Sequence, residues 1–302
     1  MKLAIDATAL TKEFGRFTAL DGLDLQVATG SIHGFLGPNG AGKSTTIRIL
    51  LGLMRRTGGN ATVLGHDPAT HALDIHRRTA YVPGDVAFWP SLTGGETLDV
   101  LARANPGTSP RKRAELIDRF RLDPRKRIRG YSKGNRQKIA LISAFSASPD
   151  LLILDEPTTG LDPLMHAEYA QCVTAAAREG TTVLLSSHIL SEVDQLCDTT
   201  TIIRDGRTVQ TGSLAELRGA ARSHIIARTS AKPSLDDADG LANLATSADD
   251  GDHRTEFDIS APGLPAVINR LDAAGLLELS CTPPTLEDLF RSYYATPSGS
   301  TR

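Results

Sequence analysis

Ahead of residue 221 the chain alternates short, largely apolar runs with segments in which apolar residues return every three or four positions. Leu151-Leu152-Ile153-Leu154 and the stretches 31–36 and 181–187 are of the first kind and read as buried strands. Residues 3–8, 23–27, 61–64 and 80–82 add shorter strands, the last two ended by Gly and Pro. The second kind predicts a helix over 45–53 and a helical region over 91–148, with helices at 93–104, 114–122 and 136–147. Another helix begins at Leu164, and Asp205-Gly206 between 200–204 and 207–211 signals a hairpin. Strands interleaved with helices predict an α/β domain over residues 1–220 with a helical subdomain at about 88–148.

From about residue 221 the pattern changes. Residues 223–228, 254–260 and 277–281 read as strands, and 265–274 as a helix with Pro265 in its first turn. The acidic, small-residue-rich stretch 232–252 reads as a loop or a poorly packed excursion. Thr285 followed by Asp288 resembles a capping box. The helix it opens would align Leu286, Leu289, Phe290, Tyr293 and Tyr294 on one face, as core or docking surface. A small α+β domain over 221–302 is expected, with no chemistry visible in it.

Composition narrows the classes. A net charge of −2 over 302 residues argues against a dedicated nucleic-acid binder. Arg111, Lys112, Arg113, Arg125, Lys126, Arg127 and Arg129 form a basic stretch. Phe120 falls with Leu116 and Ile117 on an apolar face, so aromatics do not interleave with the charges, and a solvated or partner-facing surface is expected. Cys172, Cys197 and Cys281 lie far apart without CxxC spacing, which suits a reduced, cytosolic chain with each cysteine in the core. No apolar run approaches the ~20 residues of a membrane span, and the start lacks a signal-peptide core. A soluble protein is expected, whose membrane role would come through a partner.

Between the strand at 31–36 and the helix at 45–53 lies Gly37-Pro38-Asn39-Gly40-Ala41-Gly42-Lys43-Ser44-Thr45, which fits G-x-x-x-x-G-K-[ST] at every fixed position. Glycines let successive N–H groups point into a nest sized for phosphate oxygens. Lys43 adds a mobile charge for β- and γ-phosphates, the Ser44 hydroxyl is placed for Mg²⁺, and the helix N-terminus favours an anion. All nine residues are candidate nucleotide ligands.

The strand at 151–154 delivers Asp155-Glu156 at its C-terminal end, where ligands sit in open α/β sheets. Successive residues face opposite ways, so Asp155 suits the Mg²⁺ shell and Glu156 the water that attacks the γ-phosphate. His188, at the end of the strand at 181–187, can hydrogen-bond the γ-phosphate. Phe14, in Lys12-Glu13-Phe14-Gly15, can stack on a base or fill the core.

Together these motifs resemble the nucleotide-binding subunit of ABC transporters over roughly residues 3–215. Tyr131-Ser132-Lys133-Gly134-Asn135 occupies the place of that family's LSGGQ signature, with Ser132 and Gly134 matching and Lys133 and Asn135 departing. The resemblance implies that Ser132 and Gly134 bind the γ-phosphate of ATP held by a second copy. It makes Leu161-Asp162 the D-loop, His188 the switch histidine and Phe14 the adenine-stacking aromatic. Where the family has a Q-loop glutamine after Tyr81-Val82-Pro83, this chain has Gly84 and then Asp85. Either Asp85 substitutes at the Mg²⁺, or a neighbour or water replaces the contact. Pro284 to Phe290 resembles the accessory domain of ATPase subunits from antibiotic, multidrug and polysaccharide or lipid exporters.

The resemblance implies an ATPase with ATP and Mg²⁺ that pairs head to tail on ATP binding. It would drive a separate multi-span membrane permease from the inner face of the cell membrane, with no nucleic-acid partner. The alternatives are a soluble ABC ATPase acting on ribosomes or DNA and a nucleotide-dependent regulatory module.

Overall fold

A computed structural model describes residues 2–105, 107–213, 216–217, 222–235, 239–249 and 252–282. The expected helix from Thr285, with its apolar stripe, lies outside the described residues. The chain divides into two compact units, Met1–Thr211 and Gly212–Arg302.

The first unit is built on continuous apolar strands that parallel pairing buries on both faces. β1 (Leu3–Phe14), β2 (Phe17–Ala28) and β4 (Gly58–Val63) form an antiparallel sheet of order β2-β1-β4. β3 (Ile32–Leu36), β5 (Thr79–Val82), β6 (Leu151–Asp155), β7 (Thr182–Ser187), β8 (Thr199–Arg204) and β9 (Arg207–Ser213) form a six-stranded sheet. Its order is β5-β6-β7-β3-β8-β9, parallel from β5 to β8. Between the sheets lies a core that includes Ile5, Leu10, Leu25, Phe35, Ile47, Leu50, Ile153 and Leu184.

α1 (Lys43–Leu50) follows β3, and the short α2 (Ala72–His76) precedes β5. α3 (Gly94–Ala104), α4 (Pro110–Arg119) and α5 (Lys133–Ser146) make the helical region, and α6 (Pro163–Arg178) and α7 (Leu190–Leu196) flank β7. Thr93 and Glu96 close a capping box on α3, and Ser109 caps α4 ahead of Pro110. Two residues of the basic stretch pair within the chain, Lys112 with Glu179 (2.9 Å) and Arg113 with Asp99 (2.8 Å), and Arg119 nearby pairs with Glu168 (3.0 Å). Among the described residues no helix is long and apolar enough to cross a membrane.

In the second unit β10 (Arg222–Thr229), β11 (Leu241–Asp249), β12 (Asp252–Ser260) and β13 (Leu276–Thr282) form an antiparallel sheet of order β11-β12-β10-β13. α8 (Leu264–Ala273) buries Val267 and Leu271 with Ile225, Phe257 and Ile259.

One expectation is extended and two are corrected. Residues 3–8 and 23–27 are parts of one long hairpin, which turns at Gly15-Arg16 and pairs Phe14 with Phe17. Bulges near Leu10 and Lys12 shift its register and break the alternation that would show its length. The stretch 232–252 is no mere loop, because β11 fills much of it. An irregularity between Ala242 and Ala245, with Asn243 at φ +55°, hides its period. Cys172 and Cys197 are buried as expected, but Cys281 is exposed on edge strand β13.

Candidate functional site

The phosphate loop spans the six residues between β3 and α1. Gly37 is pressed against β8, where a Cβ would stand 2.7 Å from the carbonyl oxygen of Ile203. Gly42, the residue that starts α1, has φ +109°, and a Cβ there would meet Leu20 Cδ2 at 2.6 Å and the carbonyl of Ala19 at 3.0 Å. Only glycine satisfies both the backbone angle and the approach of β2. Pro38, Asn39 and Gly40 are exposed, Ala41 is buried, Ser44 is exposed and Thr45 half-buried. Lys43 folds back over the loop, and its Nζ donates to the carbonyls of Gly37 (2.5 Å) and Pro38 (3.1 Å). Burial pulls the Lys43 ammonium below the ordinary lysine value, and Glu156 and Asp155 pull it back.

Asp155 closes β6 at 5% exposure, and its Oδ2 accepts from the Ser44 hydroxyl at 2.9 Å. Its Oδ1 is buried without a hydrogen-bond partner. A hydroxyl and a carboxylate with a spare lone pair are hard oxygen donors, which suit Mg²⁺. Among the described residues no group of three or more His, Cys, Asp or Glu could hold a metal by itself. Magnesium commonly takes one or two protein ligands together with substrate phosphates, so these residues fit it.

Glu156 turns the chain out of the strand at φ +50°, in the left-handed region that a non-glycine residue enters at a cost, and its N–H donates to the Ser186 carbonyl at 2.9 Å. The side chain stands between two partners. Oε1 lies 3.6 Å from Lys43 Nζ, and Oε2 bonds to His188 Nδ1. Lys43, Glu156 and His188 therefore converge at the C-terminal ends of β6 and β7, beside the Ser44–Asp155 pair.

Gly84 packs directly on this strand end, where a Cβ would stand 3.0 Å from the Asp155 carbonyl and 3.2 Å from Glu156 Cβ. Asp85 is exposed, and no hydrogen bond or ion pair joins it to Ser44 or Asp155.

The remaining candidates lie elsewhere. Ser132 starts α5 and accepts from Asn135 N at 3.2 Å. Gly134, in the first turn of α5, sits against the β6–α6 loop, where a Cβ would be 2.2 Å from the Gly160 carbonyl. Asp162 caps α6, accepting from Met165 N at 3.0 Å. Among the described residues no hydrogen bond or ion pair links Ser132, Gly134 or Asp162 to the phosphate loop. Phe14, at the tip of the β1–β2 hairpin, is 47% exposed and not a core residue, with Lys12 Nζ 4.8 Å above its ring.

Two buried polar residues near the site carry no motif. Gln137 on α5 is 1% exposed and donates Nε2 to the Pro83 carbonyl at 3.4 Å, tying α5 to the segment ahead of Gly84. Glu192 on α7 is 9% exposed and accepts from the Ser187 hydroxyl at 2.7 Å. The one sequence signal for either is a polar residue on the apolar face of a helix.

A phosphate loop feeding a helix, a histidine at the end of the neighbouring strand β7 and a carboxylate pair at the end of β6 beyond it define a nucleotide-hydrolysing domain. The family described as ABC transporter matches residues 20–159. The chain is 42% identical over 228 residues to the daunorubicin/doxorubicin resistance ATP-binding protein DrrA of Streptomyces peucetius, covering 74% of this chain and 69% of that one. It is 37% identical over 303 residues to the daunorubicin resistance ATP-binding protein DrrA3 of Streptomyces coeruleorubidus, covering 95% and 94%. A solved ATP-binding subunit of an ABC transporter superposes with a TM-score of 0.66 at 31% identity, covering 71% of this chain and 92% of that one. The chain belongs to the ATP-binding proteins of ABC transporters, a family of ATP-hydrolysing subunits.

Proposed function

We propose that the chain is the ATPase subunit of an exporter of antibiotics, other drugs, or lipid or polysaccharide. It would act from the cytoplasmic face of the membrane on a separate multi-span permease and pair head to tail with a second copy. The observation that carries this reading is the convergence of Lys43, Glu156 and His188 beside Ser44 and Asp155, supported by similarity to drug-resistance ATP-binding proteins along most of the chain.

The loop amides and Lys43 hold the β- and γ-phosphates. Ser44 and Asp155 would hold Mg²⁺, which when bound supplies charge neutralisation on the phosphates. Glu156 orients and deprotonates the attacking water, and the neighbouring His188 holds the γ-phosphate and the Glu156 carboxylate in register. Phe14, exposed on its hairpin, offers a face to the base. Ser132 and Gly134, at the first turn of α5, present a helix N-terminus to the nucleotide of the second copy, with Asp162 alongside. Asp85 would offer a further oxygen donor.

Hydrolysis by the full chain tests this. Glu156→Gln is expected to bind ATP normally, lose about 10²-fold or more of turnover and accumulate a dimer with ATP on a sizing column. Turnover at the wild-type rate would remove Glu156 from the role of base. Lys43→Ala is expected to weaken ATP binding itself, and unchanged affinity would take the lysine out of the site.

A further inference from the structure

The Glu156–His188 pair is held from behind by a side chain that touches neither residue. β7 ends at Ser187, and its hydroxyl does two things at once: it donates its proton to Glu192 Oε2 at 2.7 Å and accepts from Ile189 N at 3.0 Å. Those bonds bracket His188 and fix the turn that carries its ring to Glu156. One residue earlier, the Ser186 carbonyl takes the N–H of Glu156. The end of β7 thus grips Glu156 through the main chain and His188 through the side-chain relay.

Glu192 is an expensive way to anchor one hydroxyl. Its Oε1 is buried and faced by the Tyr169 hydroxyl on α6, which is itself fully buried. The titratable groups that face it are Tyr169 from α6, Glu156 from the end of β6, His188 beyond β7 and Cys197 beyond α7. Burial first, and then the negative charge of Glu156, push the Glu192 carboxyl up to about 7, against the pull of Ser187, Tyr169 and His188. A neutral amide or hydroxyl would hold Ser187 without that burden. An acid retained in such a place is a candidate for function.

We propose that Glu192 is a positioning residue for hydrolysis, acting through Ser187 on the His188–Glu156 pair, and that its ionisation tightens that relay. When the carboxyl is ionised, the Ser187 bond becomes charge-assisted, and bonds of that kind are shorter and about twice as strong as neutral ones. When it is protonated, the relay slackens and His188 is less firmly presented. The inference rests on the reading of Glu156 as the base.

The test is ATP hydrolysis by the full chain from pH 6 to 9, for wild type, Glu192→Gln, Glu192→Ala and Glu156→Gln. Wild-type kcat is expected to rise through about pH 7, where Glu192 ionises. Glu192→Gln should match the wild type at pH 6 and lack the rise. Glu192→Ala should lose about tenfold in kcat at every pH with KM for ATP unchanged, since it frees the relay without touching the phosphate loop. A second readout does not depend on activity. The infrared band of a protonated carboxylic acid should be present in the wild type at pH 6, fade by pH 9 and be missing from Glu192→Gln. A rise through pH 7 that persists in Glu192→Gln, or a band unchanged by the substitution, overturns the proposal. If Glu156→Gln itself turns over like the wild type, the reading of the base has failed, and that outcome is separable from a failure at Glu192.

Discussion

His33 and Glu192 are both buried, and burial shifts them in opposite directions. His33, 2% exposed on β3, takes a hydroxyl on each ring nitrogen, Thr199 and Thr201 (both 2.9 Å), and desolvation lowers it to about 4. As pH falls below 6.5 the unfolded chain takes up a proton at this position and the folded chain does not, so stability is lost. Glu192, raised to about 7, behaves the other way, since the folded chain takes up the proton first and stability is gained as pH falls from 7. Each contributes about 2 kcal/mol between pH 7 and 5, with opposite sign, so in the wild type they nearly cancel. Glu192→Gln removes the compensating group. Urea melts at the two pH values should show the variant losing about 2 kcal/mol more than the wild type on going from pH 7 to 5. Equal losses would mean that Glu192 is ionised throughout that range.

Among the elements, α5 carries the sharpest expectation. Its first turn is capped by Ser132, whose hydroxyl accepts from Asn135 N, so Ser132→Ala should cost about 1 kcal/mol of stability on a thermal melt. Placed in the Glu156→Gln background, the same change should also abolish the ATP-dependent dimer. A dimer that survives would show that the helix start does not seal the second nucleotide.

What the sequence made legible follows element type. β6 is a nearly continuous apolar run, β3 and β7 are short strands with apolar residues among buried polar ones, and the loop between β3 and α1 has fixed glycine and lysine spacing, so the sequence locates the strands and the groups they deliver. The β1–β2 hairpin and β11 were obscured by bulges, which reset the two-residue period, and α2 at five residues is too short for a helical period to register. Gln137 and Glu192 carry no spacing signal, since a lone polar residue on a helix gives none. The Pro83 partner of Gln137 lies on a segment that only the folded chain brings near, whereas the Ser187 partner of Glu192 is close in the chain but at a spacing that marks no motif.

At the scale of the molecule, every candidate ligand and catalytic group falls within Met1–Thr211, which has its own core, and β9 at its edge runs to Ser213. A fragment ending at Ser213 is therefore expected to fold and to bind ATP with the affinity of the whole chain, as measured by nucleotide fluorescence. A fragment that fails to bind would assign Gly212–Arg302 a share in the site.

The bare backbone meeting of Gly134 with Gly160 reaches further than its size. Backbone meets backbone there, with the Lys133 Cβ alongside, so the first turn of α5 and the loop that leaves Glu156 mesh like two gear teeth. A tilt imposed on the helical region would be felt at the carboxylate almost without slack, and a single methyl group at Gly134 would jam the train.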